Sequence, residues 1–194
     1  MQITIVSYGI AEYDGRLQEL IHVAEKLGTV HLYCCTKNHA EGLFQVNGKY
    51  LSVKTYLAFC RYVLKRTAKQ PCDIILSDNL FASFPALLLW QRKQHRFLVQ
   101  DVRELYFSED LHGKSKFFAK VEQKLMRKAD IILCANEERA KLMHQHFGLS
   151  KQPMVFENIR FLPEQSDTES LKEKYRDVFK YEFNLVSTSG LFMA

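Results

Sequence analysis

Two carboxylates and an arginine stand close together in Gln100-Asp101-Val102-Arg103-Glu104-Leu105-Tyr106, directly after the apolar run Phe97-Leu98-Val99. A carboxylate at the end of a strand, Asp101 or Glu104, can orient or deprotonate a hydroxyl. Arg103 can hold a phosphate, or pair with Glu104 and brace the loop; the pattern alone leaves both readings open. Asp78 and Asn79 follow a second apolar run, Asp73-Ile74-Ile75-Leu76-Ser77. They can hydrogen-bond sugar hydroxyls or cap the helix that follows. A third set is Tyr8-Gly9, then Asp14-Gly15-Arg16, between the first apolar run and the first helix. Free N–H groups and the dipole at a helix N-terminus favour an anion there, and Arg16 would add a fixed charge. The plainer alternative is that Asp14 caps the helix and Arg16 is a solvated first-turn residue.

Several chemistries are disfavoured by spacing. A dinucleotide or P-loop site needs closely spaced glycines after the first strand, whereas Gly9 and Gly15 are separated by Ile10 to Asp14. The five cysteines form no C-x-x-C pair, so reduced thiols are expected rather than a disulfide framework or a zinc site. His144 and His146 lie two apart on a predicted helix, which points them to different faces. No cofactor and no metal site is expected. The formal net charge of +5 is a mild bias toward anionic partners. Basic residues gather on two predicted helices, one with Lys54, Arg61, Lys65, Arg66 and Lys69, the other with Lys114, Lys116, Lys120, Lys124, Arg127 and Lys128 around Phe117 and Phe118. Such a helix can lie on an anionic membrane, or present a solvated face with its aromatics inward. No nucleic-acid recognition module is present, so nucleic acid is not an expected partner. The start, Met1-Gln2-Ile3-Thr4-Ile5-Val6, reads as a strand rather than a signal peptide.

The elements that must carry these residues alternate strictly. Predicted strands are Ile3–Val6, Val30–Cys35, Asp73–Leu76, Phe97–Val99, Asp130–Cys134 and Met154–Phe156. Predicted helices include Leu17–Leu27 before Gly28, Val53–Lys69, Phe81–Gln94 with Pro85 in its first turn, and Ser115–Lys128. A further helix begins at an Asn136 cap with Glu137 and Glu138 in its first turn, and closes at Gly148. The polar stretch with Asn38, Gly42, Asn47 and Gly48 reads as a loop or short hairpin. Apolar-run strands alternating with amphipathic helices imply a Rossmann-like, doubly wound parallel sheet with helices on both faces. Functional residues then belong at the strands' C-terminal ends. After Asn158 the composition turns polar and acidic, giving a Rossmann-like domain over residues 1–162 and a linker and helix over 163–182 with Leu171, Tyr175, Val178 and Phe179 inward. Phe183–Ser187 and the Gly190 turn form the first strand of a further domain over 183–194.

Taken in order, these segments resemble the N-terminal domain of glycosyltransferase family 4 enzymes, of the two-Rossmann GT-B fold. Tyr8-Gly9 with Asp14-Gly15-Arg16 resembles the family's first loop and the opening of its first helix, and Asp73–Asp78 its D-I-I strand. Gln100–Tyr106 is similar to the Y-D-x-x-E-L stretch facing the interdomain cleft. Glu122, Ala129-Asp130 and Asn136-Glu137 resemble a spaced E…A-D…S-E series, and Glu157-Asn158-Ile159 the end of the first domain. The resemblance implies transfer of a sugar from a nucleotide-sugar donor to a glycan or lipid-linked acceptor, with retention and without an essential metal. It implies that the donor is held mostly by a second domain, so the chain alone should be inactive. Asp101 and Glu104 become the expected catalytic residues, with Tyr8, Gly9, Arg16, Asp78, Asn79 and Arg103 binding substrate. Asp101 is expected partly exposed, in the same concavity as Gly9 and the start of the first helix. The alternative is a non-catalytic acceptor-binding or membrane-anchoring subunit. The expected location is the cytoplasm, with peripheral contact at the inner face of the membrane as an option.

Overall fold

The computed structural model describes residues 1–158 apart from 12–13, 38–41, 47–48, 51, 69 and 93–95, together with Glu173 and Arg176. The chain divides into a compact unit, Met1–Arg160, and a second, Phe161–Ala194, in which Glu173 and Arg176 form an ion pair at 3.2 Å. The expected linker helix, the strand from Phe183 and the loop residues Asn38, Asn47 and Gly48 lie outside the described residues.

In the first unit the elements run β1 (Gln2–Ile10), α1 (Gly15–Leu27), β2 (Thr29–Thr36), β3 (Phe44–Gln45), α2 (Val53–Thr67), β4 (Ile74–Asp78), α3 (Ser83–Gln91), β5 (Phe97–Asp101), α4 (Gly113–Met126), β6 (Ile131–Cys134), α5 (Glu137–Phe147) and β7 (Met154–Val155). A short 3₁₀ turn, Leu80–Ala82, joins β4 to α3. All seven strands are parallel, in the order β3-β2-β1-β4-β5-β6-β7. This is a doubly wound sheet, as the alternation of elements implies. The polar stretch after β2 contributes a parallel edge strand, β3, so it is not a hairpin.

Side-chain alternation along the strands builds a core on each face. Ile3 and Ile5 pack with Leu17, Leu20 and Ala24 of α1. Val6 and Tyr8 face the other way, toward Phe59 and Val63 of α2, Ala86 of α3 and Leu125 of α4. Beyond β5, Ile132 and Cys134 pack with Met126 and with Ala140 and Met143 of α5. Local chemistry sets the helix ends. Asp14 accepts from the Leu17 N–H, Ser52 from Thr55 and Asn136 from Arg139, while Gly148 ends α5 in the left-handed conformation. Gly28 closes α1 for a steric reason: a Cβ there would lie 2.2 Å from the Met1 carbonyl oxygen. Expected inward positions fail at Val53, Leu57 and Phe117, each about half exposed. All three line an open groove, Phe117 beside the rings of Phe84 and Phe118.

The strands are longer at their C-terminal ends than apolar patterning implies. β1 runs through Tyr8 and Gly9 to Ile10, β4 to Asp78 and β5 to Asp101. The parallel pairing sets Asp78 directly opposite Asp101, and Ser7 opposite Asp78. Tyr8, Gly9, Asp78 and Asp101 are therefore strand residues, not loop residues as expected. The crossover direction reverses between β1 and β4, which places a crevice over these strand ends.

Candidate functional site

The crevice is floored by interlocked ion pairs. Arg16, in the first turn of α1, forks onto Asp101: Nε donates to Oδ2 at 2.7 Å and Nη2 to Oδ1 at 2.5 Å. Its Nη1 donates to the Phe156 carbonyl oxygen at 2.7 Å and to Asn158 Oδ1 at 2.5 Å, and its guanidinium lies 5.0 Å from the centre of the Phe156 ring. Arg103 forks in the same way onto Asp78, at 2.5 and 2.6 Å, and reaches Asp14 at 2.6 Å with Nη1. Arg103 also stands 3.9 Å from Asp101, which joins the two systems. Paired forks of this kind combine charge with fixed geometry.

Burial sets the electrostatics. Asp78 and Asp101 have no exposed surface. Burial pushes Asp78 up to about 7; Arg103 opposes the shift and Asp101 adds to it. For Arg103 burial works against the charge, but Asp78 and Asp14 outweigh it and raise the pKa. Glu122 of α4, 2% exposed, is pushed up to about 8 by burial first and by Asp101 second. A buried acid of that pKa holds its proton at neutral pH.

Above this floor lies a cavity of about 600 Å³ lined by Ile10, Asp14, Gly15, Arg16, Glu19, Tyr50, Arg103, Glu104, Phe156, Glu157 and Asn158. It brings together three of the expected residues, Arg16, Arg103 and Glu104. The others are placed differently. Asp101 sits at the expected edge of the sheet, but it is fully buried under Arg16 instead of partly exposed. It is a positioning residue for that arginine. Asp78 is likewise buried, beneath Arg103. Asn79 is occupied locally: at φ 73° its side chain accepts from the Phe81 and Ala82 N–H groups, which is the capping alternative. Tyr8 is core; its hydroxyl donates to the Tyr50 carbonyl oxygen and its ring stacks on Tyr50 at 4.8 Å. Gly9 stands where a Cβ would come within 3.1 Å of Asp14 Oδ2 and of Ser7 Oγ. Arg103 does not pair with Glu104; Glu104 is 68% exposed and meets Arg139 at 3.7 Å. Tyr50, Glu19, Phe156 and Glu157 were missed as lining residues. Glu157 and Asn158 carried a signal in the segment ending the first domain, whereas Tyr50 sits in a polar stretch with none.

A second cavity, of about 670 Å³, opens beside the first between α2, the 3₁₀ turn and α4. Tyr8, Tyr56, Leu57, Phe81, Phe84, Phe117 and Phe118 line it, with Lys114 at its mouth. Phe118 packs inward on Tyr56 and Phe81, while Phe117 is exposed. Among the described residues no group of three or more His, Cys, Asp or Glu is arranged to hold a metal ion, and no helix is long and apolar enough to cross a membrane.

The chain is a doubly wound parallel sheet with a charged crevice at its switch point. No protein-family model matches the chain, and no curated protein matches its sequence. Among solved structures it is similar to a sucrose-phosphate synthase chain from Thermosynechococcus elongatus, with a TM-score of 0.52 and 12% identity over 93% of this chain and 98% of that one. A longer sucrose-phosphate synthase chain from the same organism matches with a TM-score of 0.57 and 10% identity, covering 81% of this chain and 48% of its own length. The present chain thus spans about half of that longer enzyme. At these identities the likeness shows the fold alone.

Proposed function

We propose that this chain is the acceptor-side, N-terminal domain of a glycosyltransferase of family 4 type, moving a sugar from a nucleotide-sugar donor to a glycan or lipid-linked acceptor. The observation that carries the reading is the open cavity over the C-terminal ends of β1, β4 and β5, in a fold shared with an enzyme named sucrose-phosphate synthase. Glu104 is the carboxylate of the expected catalytic pair that reaches this cavity, so it takes the role of meeting the acceptor hydroxyl. Asp101 acts through Arg16, which it holds against the rim at Phe156 and Asn158. A retaining transfer needs no strong base, because the donor's leaving phosphate can take the hydroxyl proton; Glu104 need only orient the acceptor.

In this reading the donor is held by a second domain, and the 194-residue chain transfers nothing by itself. Calorimetric titration with UDP-sugars should show no binding tighter than about millimolar, on the order of 4 kcal/mol. Micromolar binding would overturn the acceptor-side assignment. A second reading, an acceptor-binding or membrane-anchoring subunit without catalysis, draws support from a different place. The apolar groove, with Leu57 and Phe117 exposed and Lys54, Lys114 and Lys120 exposed on the helices beside it, suits a lipid surface. Attraction of about 1 kcal/mol per basic residue near an anionic surface would add to it and weaken with salt.

A further inference from the structure

The chain as a whole is basic, but its cleft is not. The two arginines lining the cavity are already engaged. Arg16 directs four hydrogen bonds to Asp101, Phe156 and Asn158. Arg103 directs three to Asp78 and Asp14. With Asp78 pushed up to about 7, Asp101 and Asp14 roughly balance the two guanidinium groups, and the floor is close to neutral before the rim is counted. The rim adds Glu19, Glu104 and Glu157. Among the described residues, Arg139 at 3.7 Å from Glu104 is the one cation within ion-pairing distance of these three. A cleft with low-dielectric walls focuses the field of its lining charges. An anion entering this one meets an excess of negative charge, with both guanidinium forks turned onto protein carboxylates. Tyr50 supplies an aromatic wall beside the carboxylates, a surface that suits the C–H face of a sugar and also a cation.

We infer that the acceptor carries an ammonium group close to the hydroxyl that reacts, as in an amino sugar, and that the cleft disfavours acceptors bearing a phosphate or carboxylate. The inference rests on the proposed function, in which this cavity takes the acceptor. The basic net charge of the chain points the other way and resides elsewhere, on the exposed faces of α2 and α4.

The test is an NMR titration of the isotope-labelled chain at pH 6.5 with three probes: glucosamine, glucose and glucose 6-phosphate. Glucosamine should move the amide signals of Gly15, Glu104 and Asn158, with an affinity about 10-fold above that of glucose, and glucose 6-phosphate should leave them unmoved. Raising salt to 0.5 M should erode the glucosamine preference and leave the glucose response unchanged. Glu104→Gln and Glu157→Gln should each weaken glucosamine about threefold, the scale of one exposed ion pair. Equal response to glucosamine and glucose overturns the charge inference while sugar binding at the cleft stands. A preference for glucose 6-phosphate overturns it outright. If none of the three moves the cleft signals, the acceptor-side reading falls with it.

Discussion

The two cavities share a wall and differ in almost everything else. Tyr8 lines the apolar groove, Tyr50 lines the charged cleft, and the two rings stack face to face between them. The cleft is built from strand ends and the start of α1, where side chains converge and ions can be locked in pairs. The groove is built from faces of α2 and α4 on which Val53, Leu57 and Phe117 stay about half exposed. The difference shows where each region's energy lies. The cleft floor contributes to stability and geometry together, so it tolerates little change. Substitution at the groove mouth should leave the fold alone.

The largest effect should come from Arg103→Ala. It leaves Asp78 and Asp14 without their partner, and removing one member of a buried ion pair costs about 3–5 kcal/mol; with Arg103 about one-fifth exposed, the lower end is expected. Urea denaturation measures it, and a loss under about 1 kcal/mol would mean that the pairs are not what holds the cleft. Next comes Glu122 on α4, a helix that exposes Phe117 to the groove and buries Glu122 near Asp101. Its folded pKa, about 8, lies above the ordinary value of 4.5. The native state therefore keeps a proton that the unfolded state has released. That contribution to stability is complete below about 4.5 and is lost as pH rises to about 8. Glu122→Gln should raise the melting temperature at pH 8 and flatten the fall with pH. A pH profile identical to that of the unsubstituted protein would exclude a buried, protonated Glu122.

Gly9→Ala should have a smaller effect. The added methyl would stand 3.1 Å from Asp14 Oδ2 and push it from Arg103, costing about 1 kcal/mol. Loss of the sugar-induced shifts at Gly15 should accompany it; an unchanged stability and titration would mean that Asp14 yields freely. The smallest stability change belongs to the groove. Phe117→Ser, about half exposed, should alter stability by under about 0.5 kcal/mol. It should nevertheless reduce co-sedimentation with anionic vesicles, which salt should also weaken. Equal pelleting with neutral vesicles, or none with either, would remove the membrane role.

The sequence by itself determined the architecture. Apolar runs three to six residues long between amphipathic helices admit few packings, and caps such as Asp14, Asn136 and Gly148 act within a single turn, where local chemistry is legible. It also put Asp78, Asp101, Arg103 and Glu104 near one edge of the sheet. Only the tertiary structure decided which of them face the cavity. Ser77-Asp78 and Gln100-Asp101 are polar, so the apolar pattern stops short of the strands they complete. What buries them is Arg103, 25 positions from Asp78, and Arg16, 85 positions from Asp101. Periodicity records which face a residue takes within its own element, but not which distant charge will meet it. The same limit hid Tyr50, whose place follows from stacking on a strand residue 42 positions earlier.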